Sequence, residues 1–157
     1  MKKKLIIHVD GASSGNPGPS GIGIVIKDEK HAVVKKISLP IGNATNNIAE
    51  YTAMAYALSE AAREGASSVA LRTDSELLAK QLQGLYKIKD KTLKSLHEQI
   101  CALQRKIKHV DIMHVPREDN READTLAKKA VRANNGTSSN HLSPTHIIDR
   151  TQMTFGF

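Results

Sequence analysis

Leu5-Ile6-Ile7-His8-Val9-Asp10-Gly11-Ala12-Ser13-Ser14-Gly15-Asn16-Pro17-Gly18-Pro19 is the stretch on which the chain is organised. A short apolar run closed by Gly and Pro reads as a strand. Asp10 then falls at or near the strand's last residue, where the backbone is rigid and the side chain can face a cleft. The glycines that follow let backbone approach a bulky ligand with no Cβ in the way. Asp-Gly is also a common turn pair, so taken alone Asp10 either opens a turn or serves a site.

Outward from that strand, residues 21–27 are β-branched and read as a second strand, with a turn at Asp28-Glu29-Lys30. Residues 32–39 read as a third strand, completing an antiparallel meander. Residues 40–47 read as a loop in which Thr45 or Asn46 can cap the next helix. From Ile48 to about Arg63 apolar and small residues recur at helical spacing, and Gly65 ends the helix. Residues 69–73 form a fourth strand running into Asp74. Ser75 caps a short helix to about Leu82, and residues 91–106 are amphipathic. Residues 109–115 are a fifth strand, and a last helix follows Asn120 through Ala123, Leu126, Ala127 and Ala130. The order βββαβααβα, with a parallel crossover after the meander, predicts an α/β fold: a five-stranded mixed sheet flanked by helices.

The 157 residues suit one domain, expected over 1–133, with 134–157 a linker and tail. Aromatics make up only 3%, with no Trp, so the core must rest on Ile, Leu, Val and Ala. No apolar run approaches the ~20 residues that span a bilayer, so no membrane partner is expected. The apolar run after Met1-Lys2-Lys3-Lys4 is too short for a signal peptide. One cysteine, Cys101, excludes an internal disulfide and favours a cytoplasmic location. A net charge of +7 suits a polyanionic partner, chiefly nucleic acid, or a merely solvated basic surface. A monomer is expected.

Four acids occupy comparable places. Asp10 and Asp74 end strands, and Glu50 and Asp124 lie in the first turns of helices. If strands one and four are parallel neighbours, Asp10 and Asp74 emerge side by side at their carboxyl ends, where α/β sheets place their sites. Four clustered acids repel and shift one another's ionisation, and such a cluster persists when cations sit in it. Oxygen ligands with room for water suit Mg²⁺ or Mn²⁺, and two such ions can drive phosphodiester hydrolysis. Each acid also has a plainer use: Glu50 and Asp124 can complement a helix dipole, and Asp74 can cap a helix. Zinc-protease, zinc-finger and P-loop motifs are absent from the sequence.

The run from Val9 to Pro19, the segment Thr45-Asn46-Asn47-Ile48-Ala49-Glu50, the triplet Thr73-Asp74-Ser75 and the block Asn120-Arg121-Glu122-Ala123-Asp124-Thr125-Leu126-Ala127 together resemble the four signature blocks of type 1 ribonuclease H. They stand in the family's order and cover residues 5–132. The resemblance implies cleavage of the RNA strand of RNA–DNA hybrids with two Mg²⁺ ions, Mn²⁺ substituting, and 5′-phosphate and 3′-hydroxyl products. It implies Asp10, Glu50, Asp74 and Asp124 as metal-binding carboxylates and Thr45 as a contact to a DNA-strand phosphate. It places Asn16 and Asn47 at the minor groove, where 2′-hydroxyls distinguish RNA, and Gly11 and Ser75 beside the substrate. His114 has the spacing of the family's mobile histidine, although Val115-Pro116-Arg117 replaces the usual loop; His114 either assists catalysis or packs at the end of strand five. Residues 83–91 are too few for the extra helix and basic protrusion of several bacterial members, so the chain resembles the compact branch. Lys87, Lys89, Lys91 and Lys94 either take over phosphate contacts or form a solvated turn. Handle-less relatives sometimes cut double-stranded RNA.

Gln152-Met153-Thr154-Phe155-Gly156-Phe157 loosely resembles the motif that docks replication proteins on a sliding clamp, with Gln152, Phe155 and Phe157 as its anchors. The eighteen residues from Asn134 to Thr151 would reach about 23 Å as a flexible chain. The tail can equally pack on its own domain or on another copy. Two rival readings are a non-cutting nucleic-acid binder of the same fold and a transposase or integrase core. Four retained acids count against the first, and the short chain and its Gly-Asn-Pro-Gly-Pro loop count against the second.

Overall fold

The computed structural model describes residues 3–84 and 87–135. Five strands, β1 (Lys4–Ser13), β2 (Gly18–Lys27), β3 (Val33–Ala44), β4 (Ser68–Thr73) and β5 (His109–His114), form one sheet in the order β3-β2-β1-β4-β5. β1 pairs antiparallel with β2 and parallel with β4, and β4 pairs parallel with β5. Among the described residues four helices flank the sheet: α1 (Asn46–Arg63), α2 (Glu76–Leu82), α3 (Lys91–Ile107) and α4 (Arg121–Asn135). The expected mixed sheet and element order are both present.

Burial explains the arrangement. β1 is central and buried on both faces from Leu5 to Gly11. α1 is buried almost all round, because the sheet covers one side and α3 the other. α3 contributes the stripe Leu96, Ile100, Leu103 and Ile107. α4 crosses the opposite face over β1, β2 and β3 on a stripe of small residues, Ala123, Ala127 and Ala130. Among the described residues no helix is long and apolar enough to cross a membrane.

Several boundaries differ from the sequence reading. β1 runs three residues past Asp10, because the Gly11-to-Ser13 segment keeps pairing with β2. β3 continues through Pro40 to Ala44 instead of ending at Leu39. Proline is tolerated there because β3 is an edge strand, and the ladder shifts register at that point. α1 begins at Asn46 with Thr45 as its cap, the Thr45 hydroxyl accepting from Ile48 N at 3.2 Å. That start moves Glu50 out of the first turn, so its placement is not explained by the helix dipole. Asn134, expected in the linker, belongs to α4; its Nδ2 donates to the carbonyls of Ser20 at 3.0 Å and Gly42 at 2.9 Å. Gln152, Phe155 and Phe157 lie outside the described residues.

Candidate active site

The parallel ladder of β1 and β4 ends at the pair His8 and Arg72. Asp10 and Asp74 each stand two residues farther on, so the parallel register delivers them side by side. Glu50 arrives from α1 because Gly11 has no side chain: a Cβ there would lie 2.3 Å from Ala49 C and 2.4 Å from Glu50 N. Asp10, Glu50 and Asp74 thereby bring one carboxylate oxygen each within 4.8 Å of one another. Among the described residues no other group of three His, Cys, Asp or Glu side chains meets in this way. Asp124, in the first turn of α4, reaches Asp10 by a carboxyl–carboxyl hydrogen bond and pairs with Lys128 at 3.0 Å.

The electrostatics follow from this crowding. Asp10 is only 7% exposed. Burial, then the charges of Asp74, Asp124 and Glu50, raise it from 3.8 to about 8. Burial raises Glu50 from 4.5 to about 7, against a hydrogen bond from Ser75. Burial also raises Asp74, although Arg117 opposes it. Asp124 is pushed upward by burial too, but its bonds to Lys128 and Asp10 and the charges of Lys128 and Arg117 outweigh that and lower it. Burial and the neighbouring acids thus raise Asp10, while Lys128 and Arg117 hold Asp124 down. The donor set is all carboxylate oxygen, its repulsion only partly answered by Arg117 and Lys128, and fits a hard divalent cation.

The surrounding residues are anchored. The Ser75 hydroxyl caps α2, accepting from Leu78 N at 3.2 Å, and bonds Glu50. Asn16 Oδ1 accepts from Asn46 N at 3.0 Å, tying the glycine-rich loop to the start of α1. Asn47 is exposed beside it. His114 closes β5 in register with Thr73, is exposed, and its charge acts on Asp74 and Glu76. Lys87, Lys89, Lys91 and Lys94 are all exposed, and Lys91 opens α3 behind the Asp90 cap. Two cations at the site escaped the sequence reading. Arg117, in the 3-10 turn Arg117–Asn120, acts on both Asp74 and Asp124. Lys128 had a local signal, since it lies one helical turn beyond Asp124; Arg117 had none.

The Reverse transcriptase-like family profile (RVT_3) matches residues 8–130. The chain belongs to the type 1 ribonuclease H family. A Ribonuclease HI of Halobacterium salinarum is 40% identical over 124 residues, which are 79% of this chain and 62% of that protein. The crystal structure of the RNase H1 from that archaeon superposes with a TM-score of 0.80 at 38% identity, covering 83% of this chain and 98% of that one. LC11-RNase H1 in complex with an RNA/DNA hybrid gives a TM-score of 0.78 at 40% identity, covering 82% and 97%. The Bifunctional protein Rv2228c of Mycobacterium tuberculosis is 36% identical over 92% of this chain but only 40% of its own length. The chain thus spans less than two thirds of these two full-length relatives.

Proposed function

We propose that the protein is an endoribonuclease that cuts the RNA strand of RNA–DNA hybrids, leaving 5′-phosphate and 3′-hydroxyl ends. The observation that carries this is the convergence of Asp10, Glu50 and Asp74 within 4.8 Å, with Asp124 on Asp10. The hybrid-bound LC11-RNase H1 supports the substrate. Asp10, Glu50, Asp74 and Asp124 would hold two Mg²⁺ ions, or Mn²⁺ in their place. When bound, such ions activate water and stabilise the departing 3′-oxygen. Asp10, acted on by all three other acids, would be the central ligand of that cation site. Glu50, oriented by Ser75, directs substrate and water. His114, at the mouth of the cluster, exchanges protons with solvent or product. Asn16 and Asn47 serve the minor groove and Thr45 a DNA-strand phosphate, and the exposed lysines 87, 89, 91 and 94 take backbone phosphates. The short connection between α2 and α3 suits the compact branch, for which double-stranded RNA is a second substrate to assay. We read the protein as a cytoplasmic monomer, and the segment after α4 either packs on its own domain or on another copy or docks on a sliding clamp.

The test is cleavage of a uniformly labelled hybrid with Mg²⁺, Mn²⁺ or chelator, for the parent and Asp10→Asn. Single-stranded RNA, double-stranded RNA and DNA duplex are the controls. Metal-dependent cutting of the hybrid that vanishes in the variant is expected. Tight hybrid binding without cutting under either metal would replace the nuclease with a binding module. Calorimetry of a 145–157 peptide against the clamp tests the tail, and absence of heat and of competition removes that role.

A further inference from the structure

Two contacts hold the first turn of α4, which carries Asp124, against the sheet. Asn120, just ahead of the helix, donates Nδ2–H to Val9 O at 2.8 Å, and its Oδ1 accepts from His8 Nδ1 at 3.2 Å. Gly23 of β2, the register partner of Asp10, lies directly beneath the turn. A Cβ at position 23 would stand 2.0 Å from Ala123 O and 2.5 Å from Ala127 N. Both are backbone atoms, so no change of side-chain rotamer relieves the clash. Ala123 immediately precedes Asp124. The bare Cα of Gly23 therefore sets how closely the helix, and with it the Asp124 carboxylate, approaches Asp10.

We infer that Gly23 is a positioning residue, whose missing side chain lets the first turn of α4 bring Asp124 into contact with Asp10. The inference rests on the nuclease reading above. Gly21 supplies an internal comparison on the same strand face. A Cβ there would meet Ala130 Cβ at 2.4 Å, Val131 N at 2.8 Å and Ala127 O at 2.9 Å. This is the same helix farther along, with Ala130 about 9 Å along the axis from Asp124 and Ala127 shared with the Gly23 contact. Overpacking at position 21 pushes on α4 around Ala127 to Val131, whereas overpacking at position 23 pushes on the turn that carries the carboxylate.

The experiment compares the full chain with Gly23→Ala and Gly21→Ala at a temperature where circular dichroism shows all three folded. Mn²⁺ binding is read by calorimetry without substrate, and kcat and KM are read on a hybrid. Gly23→Ala should weaken Mn²⁺ binding by on the order of tenfold. Its kcat should fall by on the order of a hundredfold with KM little changed, as for a misplacement of about an ångström. Gly21→Ala, whose clashes are milder and centred farther from Asp124, should lose markedly less in both readouts. Equal Mn²⁺ affinity in the two variants overturns the inference. A parent that neither binds Mn²⁺ nor cuts hybrid overturns the nuclease reading and this inference with it. Should Gly23→Ala not fold, Asn120→Ala loosens the same turn without adding atoms; it must show the same loss of Mn²⁺ affinity, and unchanged affinity overturns the inference.

Discussion

Replacing Asp10 by asparagine should stabilise the metal-free protein while abolishing its activity. The carboxyl is held near 8 instead of 3.8 by burial and by the Asp74, Asp124 and Glu50 charges. The folded state therefore binds a proton that the unfolded chain releases, so stability falls as pH rises from about 4 to about 8. At pH 7 the full effect is roughly 4 kcal/mol, at about 1.4 kcal/mol per pH unit. Asp10 is buried, so solvent screening removes little. The downward shift of Asp124 across the same contact returns part of it, so the net gain is smaller, on the order of 2 kcal/mol if half is returned. An asparagine amide keeps the shape and can donate to Asp124 as the protonated carboxyl does. The variant should melt about 4–8 °C higher at pH 7.5 in chelator. The gain should nearly vanish at pH 4.5, where the parent's Asp10 is protonated in the fold at little cost. Saturating Mg²⁺ should erase the gain at pH 7.5, since the ion relieves the same repulsion in the parent. Urea and thermal unfolding at the two pH values, with and without Mg²⁺, measure all three. A variant no more stable than the parent at pH 7.5 without metal, or a gain equal at both pH values, would refute the reasoning.

Arg117→Ala removes a cation that holds down the ionisation of Asp74 and Asp124; the acid limb of the pH–rate profile should move to higher pH, and an unmoved limb would dismiss Arg117 from the site. Asn134→Ala breaks two bonds to the Ser20 and Gly42 carbonyls and should cost about 2 kcal/mol in urea unfolding with kcat unchanged. Neutralising Lys87, Lys89, Lys91 and Lys94 together should flatten the dependence of log K on log salt for hybrid binding, by about one unit for each phosphate that a lysine no longer neutralises; an unchanged slope would leave them a solvated turn.

The local sequence carried most of the fold and the identity of the acids. Apolar runs punctuated by Gly and Pro located all five strands, because strand and turn preferences act over a few residues. Its errors were of one kind. Asp10 looked terminal because Gly11 and the residues after it resemble a turn, yet partner β2 keeps them extended. Pro40 looked like a stop, yet an edge strand has no partner on its outer side. Asn134 looked like linker, yet two buried carbonyls needed its donors.

The sequence by itself determined the element order, the mixed sheet and the four carboxylates, since each is written in residue type and spacing. Tertiary structure alone decided how those carboxylates meet. The β1–β4 register aligns Asp10 with Asp74, the bare Cα of Gly11 admits Glu50, and that of Gly23 admits Asp124. It also decided that Arg117 answers the charge of Asp74 and Asp124, and that burial and its three acidic neighbours raise Asp10. These are consequences of distance and burial between residues far apart in the chain, and no local pattern encodes a distance across a sheet.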